Sequence, residues 1–455
     1  MKPASASVVA PGAFRREASA NLKLALPLVA AQIAGVGMGT ADTILAGRLS
    51  AQALAAVAVG SNIAVLFFIF FMGVLMACSP IAAQRHGAGS DPADTGAFLR
   101  RALWVSLGLA LLWWLALRLL AGPLVERLQL PPDTTRMAVE FLHALSWSAF
   151  GFSAWFVLRY TAEGLGQPRP ILLAGLVGLV ANALLAWGLM FGHWGLPALG
   201  APGCGWATSI AALLMAATLA LQYPLRRGLR PTRLFARGGV SPAGDAGELL
   251  RLGLPIGLIL VAEAGLFVMA AMLMSRFGEE KVAAYQIAIN FAALLFMIPL
   301  SVGLAVTVRV GHAAGARLGA AEVRYRGRVG MQLGLLNAVS NALIMLLLGP
   351  AIVRLYTADA QIGAVAVQFL WLAAAFQFFD AVQVTANGAL RGIKDTRLPM
   401  LITVLAYWAV GFPVSWWLAF HTGLGPAGIW WGLTVGLAAA AAGLAARFRH
   451  RAQSS

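Results

Sequence analysis

The chain has 455 residues, of which 60% are hydrophobic and only 11% are charged. Typical soluble domains contain about 45–50% apolar and about 25% charged residues, so this chain cannot cover itself with a polar surface, and lipid is its expected solvent. Its formal net charge of +16 would indicate nucleic-acid binding only if the basic side chains formed a patch on one folded face. Their placement along the chain argues against such a patch.

Long apolar runs alternate with short polar connections along almost the whole chain. Each run is long enough to cross about 30 Å of hydrocarbon at about 1.5 Å per residue. The sequence therefore predicts an all-α polytopic membrane protein with about twelve transmembrane helices. In chain order, the predicted spans are residues 21–46, 53–83, 98–122, 137–158, 170–191, 203–224, 252–276, 282–308, 331–353, 362–389, 398–420 and 428–446.

The basic residues are distributed asymmetrically between the connections. Most of the 33 lysines and arginines lie in alternate connections and in the two terminal segments. By the positive-inside rule this basic side is cytoplasmic, so both termini are expected in the cytoplasm of a bacterial inner membrane. Topology thus accounts for the positive charge. The expected macroscopic partner is the lipid bilayer, and no nucleic-acid partner is expected.

An internal repeat predicts two lobes. Leu24–Pro27 reads Leu-Ala-Leu-Pro and recurs as Leu-Gly-Leu-Pro at Leu252–Pro255, and at the same offset Asn62 matches Asn290. Six spans return the chain to its starting side, so the lobes should be related by an axis along the membrane normal, as in transporters that rock two lobes around a central cavity. The predicted segments are a cytoplasmic tail at 1–20, a six-helix lobe at 21–224, a basic cytoplasmic linker at 225–250, a second six-helix lobe at 251–446 and a cytoplasmic tail at 447–455.

Three carboxylates are predicted to lie deep within spans: Asp42 in the first, Glu263 in the seventh and Asp380 in the tenth. Insertion scales assign each a cost of about 2.5–3.5 kcal/mol at the bilayer centre. Since no lysine or arginine is predicted at that depth, these acids must face a wet cavity, bind a partner or be protonated. A buried carboxyl that favours its uncharged form can exchange a proton, a sodium ion or a cationic ligand at one site, and such exchange is the physical basis of antiport.

Other polar and aromatic side chains within the spans are candidates for lining a substrate cavity or supporting an ion site. Amide carbonyls can coordinate an ion or hydrate a cavity, although amides also form plain helix–helix hydrogen bonds. Aromatic rings can stack on a planar cation, but more often they only pack. The candidates are Gln32, Ser61, Asn62, Asn182, Gln286, Asn290, Phe376 and Gln377.

No arrangement of residues indicates catalysis. The sequence has no Ser-His-Asp arrangement, His-x-x-x-His pair or phosphate-binding glycine loop at usable spacing. Cys78 and Cys204 are far apart in sequence and give no disulfide framework or cysteine metal site. We therefore expect a protein that is not an enzyme and has no cofactor.

Several motifs resemble one known family. Gly37–Gly47, which reads Gly-Met-Gly-Thr-Ala-Asp-Thr-Ile-Leu-Ala-Gly, is similar to the first-span signature of the multidrug and toxic compound extrusion (MATE) family. Gln377–Gln383 and Leu390–Asp395 look like span ten of its NorM branch, and Ala162–Gly166 and Arg309–His312 are also similar to that branch. The similarity extends from about residue 20 to residue 445, and together the motifs are specific.

The resemblance implies a twelve-helix, two-lobe antiporter, functional as a monomer, that expels cationic, amphiphilic drugs and dyes by using sodium or proton gradients. The functional acids of the family carry over onto Asp42, Glu263 and Asp380, which are the three that the cost of burial selects. Asn182 and Thr208 match amide and hydroxyl positions that accompany the first-lobe acid in relatives.

Two departures from the family pattern bear on the ion site. Some relatives have a tyrosine one turn before the span-ten acid, where this chain has Phe376. Archaeal-type relatives have a second acid one turn after the span-five asparagine, where this chain has Ala186. A two-carboxylate ion site in the first lobe is therefore not expected. The second lobe, with Glu263 and Asp380, is the expected site of the driving cation.

Two other classes of function remain alternatives. A flippase for a lipid-linked envelope precursor would need cationic residues in its cavity to hold a pyrophosphate, whereas the deep charges predicted here are all acidic. A membrane-embedded enzyme is the other alternative, and the sequence offers no catalytic arrangement for it. Antiport of cationic compounds is the function that the sequence favours.

Overall fold

The computed structural model describes residues 12–236 and 244–453, which form α-helices joined by short turns and contain no β-strand. The α-helices are α1 Ala13–Leu49, α2 Ala51–Met76, α3 Cys78–Gly87, α4 Pro92–Glu126, α5 Pro132–Ser146, α6 Ser148–Gly164, α7 Arg169–Phe191, α8 Ala201–Leu225, α9 Gly244–Met274, α10 Glu279–Gly315, α11 Ala320–Tyr356, α12 Ala360–Gly392, α13 Arg397–Val404, α14 Phe412–His421 and α15 Pro426–Arg451. A π-helix, Leu405–Gly411, joins α13 to α14.

The number of spans agrees with the sequence. Within the described ranges, eleven helical segments are long and apolar enough to cross a membrane, and α5 with α6 supplies a twelfth as a bent pair. The predicted all-α polytopic fold is therefore confirmed. The predicted span at 137–158 is not one straight helix, because α5 and α6 meet at an angle of 41°. The Ser146 hydroxyl donates to the carbonyl of His143 at this point, and serine back-bonding of this kind often bends helices.

Local sequence signals set several helix ends. The Ser50 hydroxyl accepts a hydrogen bond from the Ala53 amide at 3.0 Å and caps α2. Asp91 accepts from the Ala93 amide at 2.8 Å, and Asp359 caps α12 in the same way. Such side chains satisfy backbone donors that the first turn of a helix leaves free. Gly192 ends α7 at φ 76°, a left-handed conformation that glycine adopts without steric cost.

The described residues fall into two compact units. The first, called unit N, contains residues 27–82 and 90–257. The second, called unit C, contains the chain from Leu258 onward together with residues 83–89 and the described residues before Pro27. The units resemble the predicted lobes, but α1 passes from unit C into unit N at Pro27, and α9 passes from unit N into unit C after Gly257.

Helices extend into the predicted tails and into the predicted linker. α1 already begins at Ala13, and α15 continues to Arg451. α9 begins at Gly244, inside the predicted linker. Residues 1–11, 237–243 and 454–455, which include parts of all three predicted segments, lie outside the described residues.

Close backbone contacts hold each unit together. In unit N, a methyl group on Gly253 would lie 2.1 Å from the carbonyl oxygen of Val74. In unit C, a methyl group on Gly388 of α12 would lie 2.2 Å from the carbonyl oxygen of Gly303 of α10. Small residues allow helices in lipid to approach this closely, where packing rather than the hydrophobic effect drives association. The contact between Gly388 and Gly303 fixes α12, which carries the acid of span ten, against α10.

Ion pairs tie the helix ends of unit C. The Arg309 guanidinium makes two contacts with the Glu17 carboxylate, and Arg326 donates to Glu322 at 2.8 Å. Arg447 donates to Asp395 at 2.8 Å. Bidentate arginine–carboxylate pairs combine charge with fixed geometry. The start of α1 and the end of α15 are thereby held to the body of unit C.

Candidate cation and substrate sites

Asp42 of unit N lies in a cluster made by three helices. Asn182 of α7 donates its side-chain amide to one carboxylate oxygen of Asp42 at 2.7 Å. The Thr208 hydroxyl of α8 lies 3.1 Å from the other oxygen. The structure therefore brings together the three residues that the sequence assigned to the first-lobe acid site.

The cluster has more acceptors than donors. The Thr208 hydroxyl is also within 3.1 Å of the Asn182 carbonyl oxygen and the Cys204 backbone carbonyl, and it can donate only one proton at a time. Asn182 is completely buried, whereas Asp42 is only half-buried. Ala186, one turn after Asn182, is a buried methyl group, so this site has a single carboxylate. The arrangement can hold one negative charge at a partly exposed position, where a cation can reach it.

A second charged group in unit N was not anticipated from the sequence. Arg159 and Glu163 form an ion pair at 2.8 Å on α6, and the two side chains are 7% and 0% exposed. Arg159 also donates to the Gln32 carbonyl oxygen at 3.0 Å. Gln32 thus lies with this pair and not with Asp42. The sequence contained a signal for this ion pair, because oppositely charged residues four positions apart on a helix are neighbours.

Glu263 and Asp380 both belong to unit C. Asp380 on α12 is 3% exposed, and one of its carboxylate oxygens has no hydrogen-bond partner among the described residues. Glu263 on α9 is partly exposed and interacts electrostatically with Asp380. Two carboxylates in such a position repel each other when both are charged. They can share a proton or bind a cation between them.

The sequence predicts no lysine or arginine at the depth of these acids, but one arginine acts electrostatically on Glu263. Arg391, near the end of α12, is 4% exposed, and its positive charge acts on Glu263. The sequence placed Arg391 in a polar connection, where an arginine is ordinarily solvated. In the structure α12 continues to Gly392, so Arg391 lies on this helix, where tertiary packing buries its side chain.

The amides of α12 have different surroundings. Gln377 is fully buried, donates to the carbonyl of Ala292 at 3.3 Å and accepts from Asn341 at 3.2 Å. Its side chain therefore joins α12 to α10 and α11. Gln383 and Asn387 are 1% exposed, and in each the side-chain carbonyl oxygen has no partner within the described part of the chain.

The remaining candidates lie in neither acid cluster. Phe376 is 2% exposed and packs edge-on against Phe267, with the ring of Trp430 also in contact. Four polar candidates are exposed on their helices, and Asn290 donates only to the backbone carbonyl one turn earlier. Exposed amides within a span are costly against lipid, so they favour a hydrated surface. The four are Ser61, Asn62, Gln286 and Asn290.

The fold and its buried acids define a multi-pass helical membrane protein of the transporter class. The MatE family model matches residues 27–188 and, again, residues 255–417. The chain therefore belongs to the MatE family, the multidrug and toxic compound extrusion family that its motifs resemble. The two successive matches agree with the internal repeat in the sequence. Members of this family are transporters, so the protein is a transporter and not an enzyme.

Curated relatives cover nearly the whole chain. The multidrug resistance protein PmpM of Pseudomonas aeruginosa is 40% identical over 452 residues, covering 97% of this chain and 93% of the relative. A probable multidrug resistance protein NorM of Xanthomonas axonopodis is 38% identical over 449 residues, covering 99% and 97%. The multidrug resistance protein MdtK of Edwardsiella ictaluri is 37% identical over 446 residues, covering 96% of each.

Solved structures share the fold. The eukaryotic MATE transporter AtDTX14 superimposes with a TM-score of 0.83 at 20% identity, covering 97% of this chain and 99% of that one. A mutant of the Vibrio cholerae MATE transporter VcmN gives a TM-score of 0.86 at 18% identity, covering 97% and 98%. At these identities the similarity establishes the architecture alone.

Proposed function

We propose that the protein is a secondary active multidrug efflux antiporter that exports cationic, amphiphilic compounds in exchange for Na⁺ or H⁺. The observation that carries the proposal is the pair formed by Glu263 and the buried Asp380, one oxygen of which has no partner within the described residues. Relatives at 36–40% identity are named multidrug resistance proteins, which supports drugs as the exported class.

The charges of unit C favour loading of a single cation. Glu263 and Asp380 carry two negative charges when ionised, and Arg391 supplies one positive charge that acts on Glu263. The remaining negative charge is balanced when one proton or one sodium ion binds. An isolated charge in a low-dielectric interior is unfavourable, so the loaded and unloaded states differ substantially in electrostatic energy. That difference is what couples cation binding to conformation.

Asp42 of unit N, which the sequence predicts as a further residue of cation or proton coupling, is also the proposed contact for the exported cation. It is half-buried, and its carboxylate is oriented by Asn182 and Thr208. A carboxylate that is fixed in position but open on one side can attract an amphiphilic cation. Ser61 and Asn62, two exposed polar side chains of the same unit, support a hydrated surface for such a ligand.

The transport cycle follows from these two sites. In the proposed cycle the two lobes alternate access to the two sides of a bacterial cytoplasmic membrane, with both termini in the cytoplasm. Loading of the Glu263–Asp380 site with a cation favours one state, and its release favours the other. A ligand can shift such an equilibrium only through different affinities for the two states. The protein is proposed to act as a monomer and without a cofactor.

The test is efflux of a fluorescent cationic dye from proteoliposomes under a sodium gradient and, separately, under a pH gradient. Asp380→Asn is compared with wild type and with Asp359→Asn. Asp359 is exposed on the same helix and caps it, and asparagine caps a helix about as well as aspartate. Efflux under one gradient that is lost in Asp380→Asn and kept in Asp359→Asn would support the proposal. Inserted wild-type protein without efflux under either gradient would contradict it.

A further inference from the structure

The span between α12 and α15 contains a seven-residue π-helix, Leu405–Gly411, where an α-helix would be expected. π-helical segments are rare, and they occur frequently at functional sites. Gly411 and Gly436 hold this segment against α15, since a methyl group on Gly436 would lie 2.9 Å from the Cα atom of Gly411. The π-helix also packs against α9, because the Trp408 ring would lie 3.0 Å from a methyl group on Gly265. Gly265 is two residues beyond Glu263.

The π-helix places Tyr407 beside the acid pair of unit C. Tyr407 is completely buried, and its hydroxyl has no hydrogen-bond partner by distance and angle among the described residues. The Tyr407 hydroxyl lies next to the side chain of Gln383, and it interacts electrostatically with both Glu263 and Asp380. Gln383 lies one helical turn after Asp380 on the same face of α12. The unpartnered Tyr407 hydroxyl therefore lies next to the unpartnered side-chain oxygen of Gln383, and it acts electrostatically on Asp380, which also has an unpartnered oxygen among the described residues.

Leaving such groups unpaired is costly. A buried hydroxyl or carboxylate oxygen without a partner loses its hydration and gains nothing in return. The tyrosine side chain itself is well fixed: Tyr407 belongs to the same buried cluster as Trp430 and Phe376. A stable protein that keeps both unpaired groups together favours a state of the site in which they are joined directly or through one water molecule.

We infer that Tyr407 is a positioning residue of the Glu263–Asp380 site, and that its hydroxyl donates to the Asp380 carboxylate when the coupling cation has left. The phenol stabilises the unloaded, charged acid and so favours release of the cation. When the proton or sodium ion binds to the Asp380 carboxylate, the Tyr407 hydroxyl leaves that carboxylate and moves toward Gln383. The charged groups that act on this arrangement are Glu263 from α9 and Asp380 and Arg391 from α12.

This inference rests on the proposed function, which assigns cation loading to Glu263 and Asp380. It adds to the Glu263–Asp380 site a tyrosine hydroxyl from a different span, the one that contains the π-helix. Phe376, one turn before Asp380, carries no hydroxyl. Tyr407 approaches the same carboxylate from the π-helix instead.

The experiment measures cation loading directly, without transport. The thermal unfolding midpoint of the purified, full-length protein is recorded against Na⁺ concentration at fixed pH, and against pH without Na⁺. A ligand that binds only the folded state raises this midpoint in a concentration-dependent way. We expect Tyr407→Phe to lower the half-saturating concentration of the loading cation by roughly tenfold, because a hydrogen bond to a charged group is lost only in the unloaded state.

The matched control is Tyr285→Phe. Tyr285 is a buried tyrosine of the same unit, and its hydroxyl donates to the backbone carbonyl of Phe267 at 3.2 Å. That variant should lower the midpoint at every cation concentration and leave the half-saturating concentration unchanged. If Tyr407→Phe does not insert, Gln383→Met, which removes the acceptor of the hydroxyl in the loaded state only, should raise the half-saturating concentration.

Three results would overturn the inference. An unchanged half-saturating concentration in Tyr407→Phe would make Tyr407 a packing residue. A higher concentration would make its oxygen a ligand of the cation. If the wild-type midpoint responds to neither Na⁺ nor pH, the site loads no cation, and Tyr407 has no loading to oppose. Failure of the proposed function appears separately, as absence of dye efflux in protein that still shows normal cation loading.

Discussion

Asn182 donates a 2.7 Å hydrogen bond to the carboxylate of Asp42 and so joins α7 to α1 within unit N. This bond fixes one oxygen of a half-buried acid and leaves the carboxylate accessible on the side not covered by α7 and α8. The chain therefore carries a positioned negative charge in unit N and a second, more buried acid site in unit C. The predictions below separate the roles of these two sites.

Asp42→Asn should weaken binding of a cationic dye to the purified protein by about tenfold or more, since it removes the charge and keeps the shape of the side chain. Fluorescence titration of the dye measures this effect. Asp359→Asn, which removes one exposed negative charge, serves as the control and should bind normally. Equal dye affinity in Asp42→Asn and wild type would remove Asp42 from the substrate site.

Glu263→Gln and Asp380→Asn should each abolish gradient-driven efflux while the protein still folds and inserts. Each substitution removes the negative charge with which a proton or sodium ion would be bound, and each keeps the volume of the side chain. Proteoliposome efflux under imposed Na⁺ and pH gradients is the measurement, with circular dichroism and gel filtration to check folding. Normal coupling in both variants would contradict the assignment of the driving cation to unit C.

Arg159→Met should destabilise unit N, because it leaves the fully buried Glu163 without its ion-pair partner. Removing one member of a buried pair typically costs about 3–5 kcal/mol, whereas replacing both by apolar residues is often neutral. Thermal unfolding should therefore show a large fall in midpoint for Arg159→Met and recovery of most of it in Arg159→Met with Glu163→Leu. A double variant no more stable than the single one would show that the arginine contributes mainly through Gln32 or through packing.

Gly388→Ala should prevent correct packing of α12, because the added methyl group would lie 2.2 Å from the carbonyl oxygen of Gly303. Gly363→Ala is the matched control on the same helix, where the added group would meet the Val353 side chain at an ordinary 3.6 Å. The control should be neutral or stabilising by up to about 1 kcal/mol from helix propensity alone. Expression level and unfolding midpoint compare the two, and equal behaviour would refute the close contact.

Much of the fold was accessible from the sequence. The apolar runs predicted the helices, because every backbone polar group of a membrane span must be satisfied within its own segment. The repeat around Pro27 and Pro255 predicted two related halves, and the family model matches the chain twice with starts at these residues. Asp42, Glu263 and Asp380 were found by the cost of placing an acid in lipid. Their assigned roles stay predictions.

The pairing of side chains was decided by tertiary structure alone. The predicted end of the tenth span at residue 389 placed Arg391 in a polar connection, but packing buries it. Gln32 shares α1 with Asp42 yet bonds to Arg159 of α6. Tyr407 gave no sequence signal, since a tyrosine in an apolar run is compatible with simple packing.

Hydropathy and charge along one chain thus determined which segments are helices, how many could cross a membrane and which acids needed an explanation. These properties are local, because they depend on the solvent that each segment can tolerate. Which groups meet depends on helix rotation, on bends such as the one between α5 and α6, and on the π-helix at Leu405–Gly411. Those features arise from contacts between segments far apart in sequence, so only the tertiary structure could place Gln32 on Arg159 and Tyr407 beside Glu263 and Asp380.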